Sequence, residues 1–139
     1  MPDLLPVDGA ATLFHGVSAE ARAALATTLA KERPKQTSVL LVTDPRRAQE
    51  LATEAETYSQ WLAPKTALEV LHFPEEPPPD IDATRRADRI CERLTVLSAL
   101  LRPSKSARLI VATPEAILGA CPDRTQFESR QLKLRTGEA

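Results

Sequence analysis

The sequence predicts a three-layer α/β domain, a parallel sheet with helices on both faces. Two observations carry that expectation. Residues 38–43 (Ser38-Val39-Leu40-Leu41-Val42-Thr43) and 108–113 (Arg108-Leu109-Ile110-Val111-Ala112-Thr113) are continuous apolar runs closed by polar residues, which is how strands buried on both faces read. Around them, apolar residues recur at helical spacing over 24–31, 44–63 and 82–101, so strands alternate with helices and each strand-to-strand connection is a crossover. Crossovers make the strands parallel, and right-handed connections cover both faces of such a sheet. At 139 residues the chain has the length of one domain with its own core.

In chain order, residues 1–10 hold Pro2, Pro6 and Gly9 without periodicity and read as a loose lead-in. Residues 12–14 are a candidate short strand. The following helix is expected to turn Ala21, Leu25, Thr28 and Leu29 to one side and Arg22, Lys31 and Glu32 to water, and Arg33-Pro34 ends it. The run 38–43 is expected to be a central strand. Asp44 then caps a helix with Pro45 in its first turn, whose core face is Ala48, Leu51, Ala52, Ala55 and Leu62; Trp61 is expected to pack, and Pro64 to stop the helix. Residues 68–73 alternate as a second strand ending at His72, a candidate ligand contact because ligands sit at the carboxyl ends of such strands. The proline-rich segment 74–80 must be extended. The longest helix, 82–101, shows an apolar stripe of Ala87, Ile90, Cys91, Leu94, Leu97 and Leu101, while Arg85, Arg86, Arg89 and Arg93 read as a solvated face or a partner surface. A turn at 103–106, the strand 108–113, a short helix from Pro114 to about residue 120 and a half-exposed strand at 131–134 complete the chain.

The stretch that opens the first helix, Phe14-His15-Gly16-Val17-Ser18-Ala19-Glu20-Ala21-Arg22-Ala23, has the outline of a phosphate-binding loop. Such a loop needs G-x-x-x-x-G-K-[ST], in which glycine backbones close around phosphate, the lysine reaches the terminal phosphates and the hydroxyl holds Mg²⁺. Gly16 keeps the first glycine. Ala21 replaces the second, Arg22 the lysine and Ala23 the hydroxyl, so the spacing survives without the chemistry. The plainer reading of the same residues is a helix start with Ser18 as cap and Glu20 in the first turn. Together with the strand pattern, the loop places the expected fold in the P-loop NTPase/RecA-like class, with a degenerate phosphate loop that does not bind nucleotide.

Lys+Arg 18 against Asp+Glu 19 gives a formal net charge of -1, which argues against a free-standing nucleic-acid binder. Cys91 and Cys121 lack metal or redox spacing and read as reduced, structural thiols of a cytoplasmic protein, with no metal and no cofactor. No stretch has the apolar length of a membrane span, and the start of the chain lacks a basic, then apolar, targeting pattern.

Three stretches resemble the N-terminal UvrB-like module of bacterial transcription-repair coupling factors. They are Gly16-Val17-Ser18-Ala19 with its alanine-rich helix; Glu76, Pro79, Asp88 and Glu92-Arg93-Leu94; and Leu109-Ile110-Val111-Ala112-Thr113-Pro114 with Ala116-Ile117-Leu118, Cys121-Pro122 and Leu132-Lys133-Leu134 before Gly137. The resemblance implies that residues 11–122 are the first, UvrB-like domain and that 123–139 begin a second domain or form a terminal strand, the chain being a piece of a longer protein. It also implies a non-catalytic scaffold with no cofactor. Its partners would be the other domains of the parent, UvrA through the adjacent second domain, and DNA and RNA polymerase only through the full-length protein, an ATP-dependent translocase. Two alternatives stay open: an ATPase or helicase domain of UvrB type, which would want Lys at 22 and Ser or Thr at 23, and an unrelated α/β ligand-binding domain.

Overall fold

The computed structural model describes residues 11–63, 65–103 and 106–130. The readings of 1–10, of Pro64 as a helix stop and of a strand at 131–134 lie outside the described residues, as does part of the turn at 103–106. The elements run α1 (Ala21–Lys31), β1 (Thr37–Leu41), α2 (Pro45–Trp61), β2 (Leu68–Phe73), α3 (Ala83–Leu100), β3 (Ala107–Ala112), α4 (Pro114–Leu118) and α5 (Arg124–Ser129). The strands form a parallel three-stranded sheet in the order β1-β3-β2, with Val39 and Leu71 both aligned to Ile110.

β3 is the centre, and all of its residues are buried. Its alternation divides the core in two. Leu109 and Val111 join Ala23, Ala30, Ala48, Leu51, Ala52 and Ala55 under α1 and α2, while Ile110 and Ala112 join Phe73, Val96 and Ala116 under α3 and α4. The connection from β1 to β2 passes over β3 in one direction and the connection from β2 to β3 returns, so crossovers of one hand must use opposite faces. α2 and α3 do lie on opposite faces. The chain is therefore α/β, with a small parallel sheet between helical layers.

Local chemistry sets the element starts. The Asp44 carboxylate accepts from the backbone N–H of Arg46 (2.8 Å) and Arg47 (3.2 Å), with Pro45 behind it. Asp82 accepts from Arg85 N–H at 3.0 Å and Thr113 Oγ1 from Ala116 N–H at 3.1 Å. α1 and α2 meet through alanines, whose small side chains let the two backbones approach.

Several expectations are corrected. β1 is an edge strand, not a central one, and Val39 and Leu41 are 51% and 55% exposed. Residues 12–14 are not a strand. α1 buries Ala23, Thr27, Ala30 and Lys31 rather than the side carrying Ala21, Leu25, Thr28 and Leu29, because contact with α2 selects the small residues and leaves the leucines at the rim. Lys31 does not reach water: its Nζ donates to the carbonyls of Ser59, Leu62 and Ala63, where α2 ends. Trp61 is 73% exposed instead of packed. α3 buries Arg93, Val96 and Ala99 and turns much of its apolar stripe outward. Cys91 and Cys121 are free thiols but exposed, so neither is a core residue. α5 is an addition to the expected elements. No helix among the described residues is long and apolar enough to cross a membrane.

Candidate functional site

The loop before α1 lies beside the first turn of α2, because Arg47 donates to Ala19 O at 2.9 Å. That is the end of the sheet where β1 finishes, and no strand among the described residues leads into the loop. Two of its backbone groups, Ala19 O and Ala21 N–H, have internal partners. Ser18 Oγ accepts from Ala21 N–H at 3.4 Å and Ser18 O from the same group at 3.2 Å, but the N-cap of α1 is Glu20, without a side-chain capping bond, so neither Ser18 as the cap nor Glu20 in the first turn holds as expected. Hydrogen bonds from its own backbone N–H and from Ser18 hold the Glu20 carboxyl below the usual glutamate value, with Arg47 and Arg22 adding to the effect. The exposed Glu20 carboxylate adds negative charge at the start of α1, which disfavours an incoming phosphate. Arg47 is itself engaged by Glu54 (2.7 Å) and Glu50 (3.1 Å), which raise its pKa. Gly16 has φ +70 and open space where a Cβ would be, so its glycine serves the turn and not a close approach. Ala21 and Arg22 are exposed and Ala23 is fully buried against the core, facing away from any ligand.

From this geometry, titration of Mg-ATP into the protein is expected to give no heat beyond dilution at millimolar ligand. Neither a lysine nor a metal-holding hydroxyl is present to clamp the β- and γ-phosphates. Binding in the micromolar range would contradict the assignment of the loop as disabled.

The second cluster sits at the carboxyl ends of β2 and β3. His72 Nδ1 lies 3.5 Å from Glu92 Oε2 on α3, and Thr113 Oγ1 donates to Glu75 Oε1 at 3.0 Å. Arg46, Arg89, Glu75 and Glu92 surround a hollow of about 160 Å³. Ligand pockets for drug-sized or cofactor-sized molecules run roughly 300–1,000 Å³, so this one is too small for a nucleotide. No group of three or more His, Cys, Asp or Glu among the described residues has the geometry to hold a metal ion. The His72–Glu92 contact ties β2 to α3.

Burial pushes the His72 imidazole below its usual value; Glu92 opposes that push and Arg89 adds to it. With the folded value lower than the unfolded one, the unfolded chain takes up a proton first as pH falls. The stability contributed by neutral His72 is therefore present above about pH 6.5 and lost as pH drops through the folded value. The urea midpoint is expected to fall between about pH 7 and pH 5, and His72→Gln to flatten that slope. A midpoint that rises through this window would mean that the Glu92 pair outweighs burial.

Protein-family models, curated proteins and solved structures were compared with the chain, and none matches.

The arginines read as one surface are divided by the structure. Arg85 is exposed and 3.4 Å from Asp82. Arg86 is half-buried, its Nη2 donating to Pro78 O (3.3 Å) and to Pro79 O. Arg89 faces His72 across the small hollow. Arg93 is buried: its guanidinium lies 4.3 Å from the Phe73 ring centroid and donates to Pro74 O (2.7 Å), Ala116 O (3.4 Å) and Ala120 O (3.2 Å), with Cys121 Sγ at 3.3 Å. It is an internal clamp and not part of a partner surface. Sequence reasoning missed the partner of His72, since Glu92 lies on a different element; the one available signal was that Glu92 and Arg89 share a helix face one turn apart.

Proposed function

We propose that this chain is a non-catalytic scaffold and protein-interaction module, a P-loop NTPase/RecA-like frame whose phosphate loop has become structural. The observation that supports the reading is the make-up of that loop, with Ala21, Arg22 and Ala23 opening α1, the exposed Glu20 carboxylate at its N-cap and Arg47 on the Ala19 carbonyl. A loop at a sheet end that offers a carboxylate and no lysine or metal-holding hydroxyl keeps the architecture and forgoes the reaction. The three stretches similar to coupling factors add the setting: a UvrB-like first domain in the cytoplasm that supports recruitment of UvrA to stalled RNA polymerase. UvrA would be met mainly through the adjacent second domain, and DNA and RNA polymerase through the rest of the parent protein.

The test is UvrA affinity measured for this chain and for a longer one that includes a second domain. The longer chain is expected to bind, and this one at least tenfold more weakly, a difference of roughly 1.4 kcal/mol or more. Changing Arg85, Arg86 and Arg89 together to Ala in the longer chain is expected to weaken binding less than about tenfold. Equal affinity of the two chains, or complete loss on the arginine change, would overturn the division of labour proposed here.

A further inference from the structure

The outer edge of β1 is an unfinished hydrogen-bond ladder. Arg108 N–H donates to Gln36 O at 3.0 Å and Val42 N–H to Ala112 O at 2.9 Å, so residues 36, 38, 40 and 42 turn their backbone groups toward β3. Thr37, Val39 and Leu41 turn theirs the other way. Among the described residues no backbone group meets them there. Sheet edges in soluble proteins are usually blunted by a lysine, a proline or a bulge. The run Thr37-Ser38-Val39-Leu40-Leu41 holds no charge and no proline, and its register with β3 is unbroken.

The surroundings of this edge set what can complete it. Outward N–H and C=O groups at every second residue match another extended backbone, because a helix uses its own groups internally. A groove of about 390 Å³ lies along β1, with Thr37 and Val39 on one side and Phe14, Leu29 and Ala30 on the other. With about 3.3 Å of rise, about 4.8 Å between strands and about 10 Å between layers, a strand takes up roughly 160 Å³ per residue. The groove therefore has room for about two to three residues of a single chain. A second copy would bring its own α1 and Phe14 beside its β1, and these exceed that space. Phe14, Leu29 and Ala30 are apolar, so the side chains that an added strand turns toward α1 are apolar too.

We infer that β1 accepts a strand from a partner polypeptide, extended, uncharged over its central residues and apolar on the side facing α1. The inference rests on the reading of the chain as an interaction module and names the form of the partner.

The probe is a synthetic peptide, Lys-Val-Thr-Val-Thr-Val-Lys, N-methylated on both Thr so that one edge is free and the other is blocked against self-association. The control peptide is N-methylated on every Val and Thr. In the chain alone the amides of Thr37, Val39 and Leu41 are expected to exchange with solvent at unprotected rates, while those of Ser38 and Leu40 are protected by β3. Saturating probe is expected to slow the first three at least tenfold, and fluorescence anisotropy to show it binding at least tenfold more tightly than the control. Val39→Pro removes an outward N–H that the sheet does not use, and Val39→Lys puts a charge beside the edge. Both should weaken probe binding at least tenfold, with urea midpoints as the folding control; Val39→Lys decides if the proline variant does not fold. Equal binding of probe and control, no binding, or unchanged binding by Val39→Lys would overturn the inference. So would protection of Thr37, Val39 and Leu41 in the chain alone, since another part of this chain would hold the edge if that protection is independent of protein concentration, and a second copy if it rises with concentration. Failure of the longer chain to bind UvrA, with strand addition intact, would sink the coupling-factor setting and leave the edge standing.

Discussion

Arg93→Ala is expected to lower the unfolding free energy by about 3–5 kcal/mol, a large share of the roughly 5–15 kcal/mol that holds a domain together. The guanidinium sits between β2, α3 and the segment after α4, with its charge over the Phe73 ring and its N–H groups on the carbonyls of Pro74, Ala116 and Ala120. Pro74 and Ala120 lie just beyond β2 and α4, and Ala116 lies within the short α4, whose last carbonyls lack partners inside the helix. Truncation would leave them short of donors in a site where water enters poorly, and unsatisfied buried polar groups cost about 1–3 kcal/mol each. The space vacated against Phe73 adds a cavity term. Arg93→Lys should recover only part of the loss, because an ammonium is a point charge that neither stacks on the ring nor reaches all three carbonyls. Urea unfolding of both variants is the measurement. A midpoint for Arg93→Ala within error of the wild type would show that the clamp contributes nothing.

The next largest effect is expected at Lys31. Its Nζ gathers the carbonyls of Ser59, Leu62 and Ala63, and Ala63 has φ 46, a left-handed conformation that a residue with a Cβ adopts at some cost. α2 ends at Trp61 without a glycine to satisfy its last carbonyls, and the lysine from α1 does that work across the helix pair. Burial pushes the ammonium below the usual lysine value, which is the cost of bringing it there. Lys31→Ala removes both the donors and the covering stem, and is expected to destabilise by about 2–3 kcal/mol. Lys31→Met keeps the stem and loses the donors, so its midpoint should fall between the two. Hydrogen exchange adds a local reading: the amides of the last turn of α2 should lose protection in Lys31→Ala before those of β3 do. Uniform loss across the molecule would mean that the cap is not where the lysine acts.

Helical spacing put Lys31 in water and Arg93 on a solvated face or partner surface, and both are buried for the same reason. A helical wheel ranks faces by hydropathy, but the face that a sheet accepts also depends on size and shape. α1 is held by alanines that let it lie close to α2, and this rotation carries Lys31 inward. α3 crosses the sheet on Val96 and Ala99, which brings Arg93 under Phe73 and puts Ile90 and Leu94 at the surface. The candidate site was legible in the same partial way. That positions 22 and 23 hold Arg and Ala was visible in the letters, whereas Glu20 as the N-cap of α1 and the bond from Arg47 to Ala19 were not. His72 was visible as a strand end; its acid partner was not.

What the sequence determined by itself is the local part: three strands, the starts of α2 and α4 from Asp44-Pro45 and Pro114, and a proline-rich segment that belongs to no helix or strand. These follow from backbone sterics, capping and side-chain inventory, which act over a few residues. The tertiary structure alone decided the order β1-β3-β2, the edge position of β1, the rotation of α3 and the burial of Lys31 and Arg93. Those outcomes depend on which distant surfaces fit together, as Arg93 and Pro74, 19 residues apart, illustrate. Close packing against a partner face outweighs the hydropathy of any single helix.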